Sequence, residues 1–375
     1  MSNEYIVKGA KSVQIKNDFG MSYFSLFKGG KLKNVNIAYE TWGKLSINKD
    51  NAILVFTGLS PSSHAASSSE NSDIGWWEYM IGKNKPIDTN RYFVICINSL
   101  GSCYGSTSPA SINPDTKGIY GLDFPTLSIE DISKAGLFLL NELGIDSAHT
   151  VIGPSMGGMS ALAFALMYPE NLENLILIST AARTLPFTIS IRSLQREIIR
   201  NDPLWKNGKY KLNNKPLNGM RLARKLGLMS YRAANEWRER FNRARIKKAD
   251  DYKMFDIEFE VESYLQHNAN KFISEFDPNC YLYLSRAMDL FDVAEHGGTV
   301  KAGLSKIRTK KNLIIGVRSD ILFPIDQQED LFLGMKASNI DVQFEILDSI
   351  QGHDSFLVDE ENFSGVVKKF LMSID

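Results

Sequence analysis

A serine flanked by glycines offers the most distinctive chemistry in this 375-residue sequence. Ser155 stands in the pentapeptide GPSMG, between a largely β-branched run at residues 150–152 and an Ala-rich helical pattern at residues 159–168. A strand, a tight turn and a helix in this order raise the hydroxyl of a G-x-S-x-G serine above the sheet, and glycines relieve the backbone crowding of that turn. The pattern predicts a catalytic nucleophile. The alternative is a glycine-rich loop with an incidental serine.

An acid and a histidine follow the serine at positions that favour the catalytic interpretation. Residues 312–317 and 342–347 have the pattern of strands, and Asp320 and His353 come shortly after the first and the second. Open α/β sheets place their sites at this carboxyl end of the strands, and α/β-hydrolases carry their triad in the order serine, acid, histidine. We therefore predict a triad of Ser155, His353 and Asp320.

An early loop can supply hydrogen bonds to the negative oxygen that forms when such a serine attacks. The loop follows a buried run at residues 52–57. In α/β-hydrolases it gives one backbone N–H to the oxyanion hole, and the residue after the nucleophile gives the other. Here these donors would be Leu59 and Met156, and each can lower the barrier by a few kcal/mol, on the order of 3.

The surrounding pattern predicts the fold that would position these groups. Strand-like runs at residues 35–40, 52–57 and 92–98 precede the serine, and a helical pattern covers residues 129–143, with Ser128 as its N-cap. Strands that alternate with helices predict a doubly wound, mostly parallel sheet. We expect an α/β-hydrolase fold.

The alternation stops between the serine half and the Asp/His half of the chain. Residues 186–305 are charged, aromatic and helical in pattern, and strand-like runs resume only after them. We therefore predict an α/β core at residues 1–185 and 306–375 and an inserted helical cap at residues 186–305. Such a cap can exclude water and shape substrate access.

Composition excludes several other classes of protein. The formal net charge is zero, which gives no electrostatic reason to expect nucleic-acid or membrane binding. No run approaches 18 apolar residues, and three cysteines without C-x-x-C spacing do not suggest disulfides or zinc. We expect a cytoplasmic protein with no bound cofactor and no metal.

Longer stretches of the sequence resemble the homoserine/serine O-acyltransferase family of the α/β-hydrolase superfamily. They include GSCYGSTSPASINP within residues 75–116, YGLDFPTLSIED at 120–131, GPSMGGM at 153–159 and GHDSFLVD at 352–359. The resemblance covers nearly the whole chain. It implies the same triad, an acyl-CoA donor, a homodimer, and a role for Asp354 in binding the amino group of an amino-acid acceptor.

Two segments are more similar to the serine O-succinyltransferase branch than to the homoserine acetyltransferases. One is Pro61-Ser62-Ser63-His64 next to the oxyanion loop, which we expect to set the depth of the acceptor site. The other is residues 191–197. There Arg192 is expected to bind the carboxylate of a succinyl group, because guanidinium matches a carboxylate with two parallel hydrogen bonds. Alternatively, Arg192 belongs to a solvated helix face.

These observations predict transfer of succinyl from succinyl-CoA to the hydroxyl of L-serine by a ping-pong mechanism, in cysteine biosynthesis. A homoserine O-acetyltransferase or O-succinyltransferase, using acetyl-CoA or succinyl-CoA in methionine biosynthesis, is one alternative. An esterase or thioesterase with the same triad is another, because one scaffold hosts many reactions. A non-catalytic binding protein of this fold is disfavoured because all three triad residues are present.

Overall fold

The computed structural model describes residues 5–15, 23–211, 213–247 and 252–374. Residues 1–4, 16–22 and 375 of the expected core and residues 212 and 248–251 of the expected cap lie outside it. The strands in these residues are β1 (Lys11–Gln14), β2 (Phe24–Ser25), β3 (Lys31–Leu32), β4 (Asn36–Trp42), β5 (Ala52–Phe56), β6 (Ile81–Gly82), β7 (Ile87–Asp88), β8 (Phe93–Ile97), β9 (Ala148–Pro154), β10 (Leu172–Ile178), β11 (Lys311–Val317) and β12 (Val342–Leu347).

The helices in the same residues complete the inventory. They are α1 (Ile129–Glu142), α2 (Met156–Met167), α3 (Pro186–Arg200), α4 (Leu217–Tyr231), α5 (Ala234–Phe241), α6 (Glu260–Glu275), α7 (Pro278–Leu290), α8 (Val300–Leu304), α9 (Ile325–Ala337), α10 (Ser355–Val358) and α11 (Glu360–Ser373). Short 3-10 turns lie at Gly121–Asp123, Lys206–Gly208, Val293–His296 and Gly352–Asp354.

Eight of the described strands form one sheet in the order β1-β4-β8-β5-β9-β10-β11-β12. Each neighbouring pair from β8 to β12 in this order is parallel. Strand β4 pairs antiparallel with β8, and β1 pairs antiparallel with β4. Both faces are covered. On β5, for example, Leu54 and Phe56 enter one apolar cluster and Ile53 and Val55 another. Burial on both faces explains the near-continuous apolar strands, and the predicted fold class is confirmed.

Helix α1 begins where its sequence predicts. The side chain of Ser128 accepts a hydrogen bond from the Asp131 N–H while the Asp131 carboxylate accepts one from the Ser128 N–H. This reciprocal cap satisfies two of the free N–H groups at the helix start. Gly144, just past the helix, has a φ of 69°, a conformation that glycine adopts without strain.

Residues between β10 and β11 leave the sheet and return to it. The two strands are parallel neighbours, with Leu175 opposite Asn312, although more than 130 positions separate them. Helices α3 to α8 occupy the intervening described residues. Helix α5 ends at Phe241, where Asn242 adopts a φ of 44°.

Candidate active site

Ser155 lies at the sharp turn between β9 and α2. Its backbone has φ 56° and ψ −122°, a combination that a residue with a Cβ adopts only when its surroundings impose it. The surroundings do so here, because the Ser155 N–H donates to the carbonyl of Ile178 at 2.9 Å and its carbonyl accepts from the Thr180 hydroxyl at 3.0 Å. The turn is therefore held rigidly, with the side chain 8% exposed.

The glycine after Met156 is required by close packing. A Cβ on Gly157 would lie 2.2 Å from the carbonyl oxygen of Phe56, at the end of β5. The start of α2 thus touches the backbone from which the loop at residues 57–64 departs. Leu59 lies on that loop and Met156 is the first residue of α2, so the contact joins the two elements that carry the expected oxyanion donors; their role stays a prediction.

Ser155, His353 and Asp320 form a continuous chain of hydrogen bonds. His353 Nε2 lies 2.8 Å from Ser155 Oγ, and His353 Nδ1 lies 2.7 Å from Asp320 Oδ2. The other carboxylate oxygen of Asp320 accepts from the N–H groups of Leu322 and Phe323 at 2.8 and 3.0 Å. Those two bonds fix the carboxylate, which in turn orients the imidazole with Nε2 toward the serine.

Aromatic rings hold the plane of the His353 imidazole. Phe323 stacks on it at a centroid distance of 5.2 Å and an angle of 27°, and Phe356 meets it edge-on at 5.6 Å. The ring is 5% exposed. A general base fixed in this way needs little reorganisation when it takes the serine proton.

A small pocket opens above the triad. The core contributes its floor, and helices α3, α4 and α7 contribute one wall. Its lining residues are Leu59, Ser155, Ile191, Arg192, Gln195, Ser230, Tyr231, Tyr281, Met288, Leu322, Phe323 and His353. Predicted site residues from both halves of the chain therefore meet around one cavity.

Arg192 is buried in this wall and does not belong to a solvated face. It is 6% exposed, and its Nε donates to Asp289 Oδ1 at 2.7 Å and its Nη2 to Thr184 Oγ1 at 2.9 Å. The same aspartate pairs with Arg196 at 2.7 Å. Burial lowers the pKa of Arg192, and Asp289 opposes that effect. The guanidinium retains N–H groups for a ligand, because its Nη1 is matched only by the weak acceptor Met288 Sδ at 3.8 Å.

Asp354 immediately follows the catalytic-site histidine in the chain. Its Oδ2 lies 3.1 Å from Arg232 Nε. Burial raises the pKa of Asp354, although Arg232 and His353 act in the opposite direction. Burial disfavours the ionised form of this carboxylate, and an ammonium group placed next to it would stabilise that form.

Pro61, Ser62, Ser63 and His64 lie on the loop that carries Leu59, but in the described part of the chain they do not line this pocket. His64 points away, with Nδ1 2.9 Å from Glu40 Oε2 and Nε2 2.9 Å from the carbonyl oxygen of Asp73. Contact between these four residues and the substrate stays a prediction.

The described residues contain no group of three or more His, Cys, Asp or Glu side chains arranged to hold a metal ion. Nor do they include a helix with the length and apolar character needed to cross a membrane.

Comparisons with known proteins agree with this geometry. Residues 51–359 match the family described as alpha/beta hydrolase fold. A serine O-succinyltransferase of Litchfieldella anticariensis is 54% identical, covering 92% of this chain and 95% of that protein. This chain belongs to the homoserine/serine O-acyltransferase family of the α/β-hydrolase superfamily.

Solved structures place the family within a wider group. The homoserine O-acetyltransferase from Bacillus anthracis superposes with a TM-score of 0.87 at 28% identity, covering 97% of this chain and 98% of that one. Esterase E22 superposes with a TM-score of 0.86 at 30% identity, covering 96% and 99%. The same scaffold thus carries both acyl transfer and ester hydrolysis.

Arg224 is a charged residue next to the site that the sequence did not single out, and it does not itself line the described pocket. Its guanidinium lies over the rings of Phe272 and Tyr231, at 4.3 and 5.4 Å from their centroids, and Tyr231 lines the pocket. Its Nε and Nη1 are buried with no hydrogen-bond partner among the described residues. A buried cation with free donors invites an anionic ligand. The sequence offered no signal, because α4 contains several basic residues and only packing distinguishes this one.

Proposed function

We propose that this acyltransferase moves a succinyl group from succinyl-CoA to the hydroxyl of L-serine, in cysteine biosynthesis. The observation that carries the proposal is the hydrogen-bonded Ser155-His353-Asp320 chain beneath a pocket whose wall contains the buried guanidinium of Arg192. The 54% identity to a serine O-succinyltransferase over nearly the whole chain supports the choice of substrates.

In the first half-reaction, Ser155 Oγ attacks the thioester carbon while His353 Nε2 takes its proton. The N–H groups of Leu59 and Met156 bind the oxygen that becomes negative. The C–S bond then breaks, the proton passes from His353 to the leaving sulfur, and the succinyl group remains on Ser155 as an ester. Asp320 stabilises the imidazolium that forms between these steps.

In the second half-reaction, the hydroxyl of L-serine takes the place of the departed thiol. His353 removes its proton, and the oxygen attacks the acyl carbon. The bond from that carbon to Ser155 Oγ then breaks and the proton passes from His353 to Ser155 Oγ, which gives O-succinyl-L-serine and free enzyme. The proposal places the acceptor's ammonium group near Asp354 and its carboxylate near Arg224. Both charged ends are then matched, which holds the hydroxyl at a fixed depth.

Arg192 would select the donor. A succinyl chain ends in a carboxylate that an acetyl group lacks, and a buried guanidinium with unused N–H groups is suited to bind it. Its partner Asp289 holds the guanidinium in place and is shared with Arg196.

The helices inserted at residues 186–305 would act as a cap. Ile191, Gln195 and Tyr231 from this segment lie in the same pocket wall as Arg192, so closing over bound substrate would exclude water from the acyl-Ser155 ester. Transfer competes with hydrolysis only where water is kept out. The cap is therefore the element that would separate this protein from an esterase with the same triad.

The inserted helices also carry the surface that we propose for a homodimer. Phe187 and Leu194 on α3 and Leu222 and Met229 on α4 are 41–58% exposed, and α3 and α4 pack against each other. Neighbouring exposed apolar groups mark association surfaces. A cytoplasmic location fits the three cysteines, which are all free and buried, because thiols stay reduced in that compartment.

Hydrolysis is the second candidate, favoured by the likeness to esterase E22. The deciding experiment measures kcat/KM for succinyl-CoA and acetyl-CoA, each with L-serine and L-homoserine, while free acid is quantified. We expect succinyl-CoA with L-serine to rank first and free succinate to be a minor product. Thiol release that is indifferent to the amino acid would establish hydrolysis instead, and a preference for acetyl-CoA with L-homoserine would establish the homoserine acetyltransferase reaction.

A further inference from the structure

The loop that carries Leu59 is anchored at both ends by buried polar contacts. At its start, Thr57 Oγ1 lies 3.1 Å from Ser99 Oγ. At its far end stands His64, whose side chain is 10% exposed. Between these anchors Leu59 reaches the pocket beside Ser155. Residues 62 and 64 are also held through their carbonyl oxygens, which accept from the indole and backbone N–H groups of Trp76 at 2.9 and 3.2 Å; the His64 side chain is a buried polar side chain at this end of the loop.

A carboxylate from the interior of the sheet holds His64. Glu40 lies in β4 and is 3% exposed. Its Oε2 lies 2.9 Å from His64 Nδ1, and its Oε1 accepts from the Ser63 hydroxyl at 3.4 Å. On the opposite side of the ring, His64 Nε2 faces the carbonyl oxygen of Asp73 at 2.9 Å. The Asn71 amide, 3.3 Å from Nδ1, donates to the Lys8 carbonyl. The imidazole is thus fixed from both sides.

These contacts determine how many protons the pair holds. A carbonyl oxygen only accepts, so Nε2 of His64 must carry a hydrogen. We assign a further proton to the position between Nδ1 and Glu40 Oε2, because two facing lone pairs would repel each other and the Asn71 amide is the more distant partner of Nδ1. The pair is either imidazolium with carboxylate or imidazole with carboxylic acid, and both forms have no net charge.

The pKa shifts point the same way. Burial raises the pKa of Glu40. Burial acts to lower the pKa of His64, but its bonds to Glu40 and to the Asp73 carbonyl raise it overall. Both shifts keep the shared proton on the pair. An electrically neutral pair is the form that a buried site tolerates.

We propose that Glu40 and His64 are positioning residues for the oxyanion hole, acting through the loop at residues 57–64 to aim the Leu59 N–H at the reacting carbonyl oxygen. Buried ion pairs contribute little net stability compared with apolar side chains of similar size, so the imposed geometry explains the pair better than stability does. Neither side chain lines the pocket in the described residues. The inference rests on the proposed function, because the oxyanion belongs to acyl transfer at Ser155.

The chain offers a matched control. His296 Nε2 lies 3.1 Å from Glu130 Oε1, and these side chains are 6% and 1% exposed. This second buried His–Glu pair joins the start of α1 to the turn after α7, and it does not line the described pocket. Disrupting it removes the same kind of contact without touching the loop that carries Leu59.

The experiment compares Glu40→Gln, His64→Gln and their double variant with Glu130→Gln and His296→Gln. A fluorophosphonate that labels Ser155 counts active sites, and kcat per labelled site is measured for CoA release and for O-succinylserine formation. We expect the Glu40 and His64 variants to lose about 10- to 100-fold in kcat, with KM little changed, as for a misplaced oxyanion donor. The double variant should be no worse than either single one. The control variants should lower Tm and keep kcat per site.

Wild-type kcat per labelled site in the Glu40 and His64 variants would overturn the inference and leave the pair a stability element only. If these variants do not fold, Glu40→Asp is the substitute, because it keeps the charge and withdraws the carboxylate by one methylene. It should show the same loss of kcat per labelled site. Wild-type kcat in Glu40→Asp would also overturn the inference. Hydrolysis of p-nitrophenyl acetate should rank the variants identically. Hydrolysis of this ester depends on the oxyanion hole whatever the natural acceptor is. The same order of variants is therefore expected even if the wild-type enzyme fails to succinylate L-serine, which separates a failure of this inference from a failure of the proposed function.

Discussion

Replacing Arg192 with alanine should change which acyl donor the enzyme prefers. In the wall of the pocket, one N–H of Arg192 binds Asp289, one binds Thr184, and Nη1 meets only the sulfur of Met288. About two N–H groups therefore remain for the carboxylate of a succinyl chain. Removing one partner of such a buried charged contact costs roughly 2–5 kcal/mol. We expect the lower end of that range, because part of the guanidinium is already committed to the protein.

At tenfold per 1.4 kcal/mol, a loss of about 2 kcal/mol lowers kcat/KM for succinyl-CoA roughly 30-fold. Acetyl-CoA lacks the carboxylate, so its kcat/KM should change far less. The assay is CoA thiol release with saturating L-serine and each donor in turn, normalised to the number of Ser155 sites that a fluorophosphonate labels.

Arg196→Ala is the matched control, because Arg196 pairs with the same Asp289 but does not line the described pocket. It should reduce stability and preserve the ratio of the two donors. The reasoning is refuted if Arg192→Ala lowers kcat/KM equally with both donors, since Arg192 would then serve the structure of the wall and not the recognition of a carboxylate.

Four other substitutions test separate parts of the site. Ser155→Ala and His353→Ala should each abolish transfer with Tm preserved, and combining them should cost little more, because triad members act as a unit; additive losses in kcat would argue against a shared step. Arg224→Ala should raise KM for L-serine by about 30-fold or more and leave KM for succinyl-CoA nearly unchanged, whereas the opposite pattern would place the donor there. Asp354→Asn should weaken L-serine binding yet raise Tm near neutral pH. The pKa of Asp354 is raised in the folded state, so its negative charge destabilises the fold at pH values above that pKa. At pH values below the pKa of Asp354 in the unfolded chain the carboxyl is neutral in both states, so the gain in Tm should vanish there. A gain in Tm that persists at acidic pH would contradict this reasoning.

Local sequence signals predicted the parts of the fold that depend on neighbours in the chain. The turn at Ser155 needs a strand before it, glycines around it and a helix after it, and all are adjacent in sequence. The cap likewise joins two residues, Ser128 and Asp131, that are three positions apart. The strand at residues 342–347 was predicted with its observed bounds, because the alternation of apolar and polar residues starts and stops within that short segment.

Tertiary packing decided what the sequence left open. Arg192 and Arg196 have the spacing of a solvated helix face, yet both are largely buried because Asp289, from α7, lies against them. Arg224 differs from other basic residues of α4 only by packing against Phe272. Glu40 sits in an apolar strand, and its partner His64 is 24 positions away, so no local pattern joins them.

The most direct test of the central claim is to incubate the enzyme with succinyl-CoA alone and follow both products. Covalent catalysis at Ser155 predicts a burst of CoA equal to the number of active sites and a succinyl group on the peptide that contains Ser155. Adding L-serine should then discharge that group as O-succinyl-L-serine. A succinyl label on another residue, or CoA release that begins only when L-serine is present, would contradict the account.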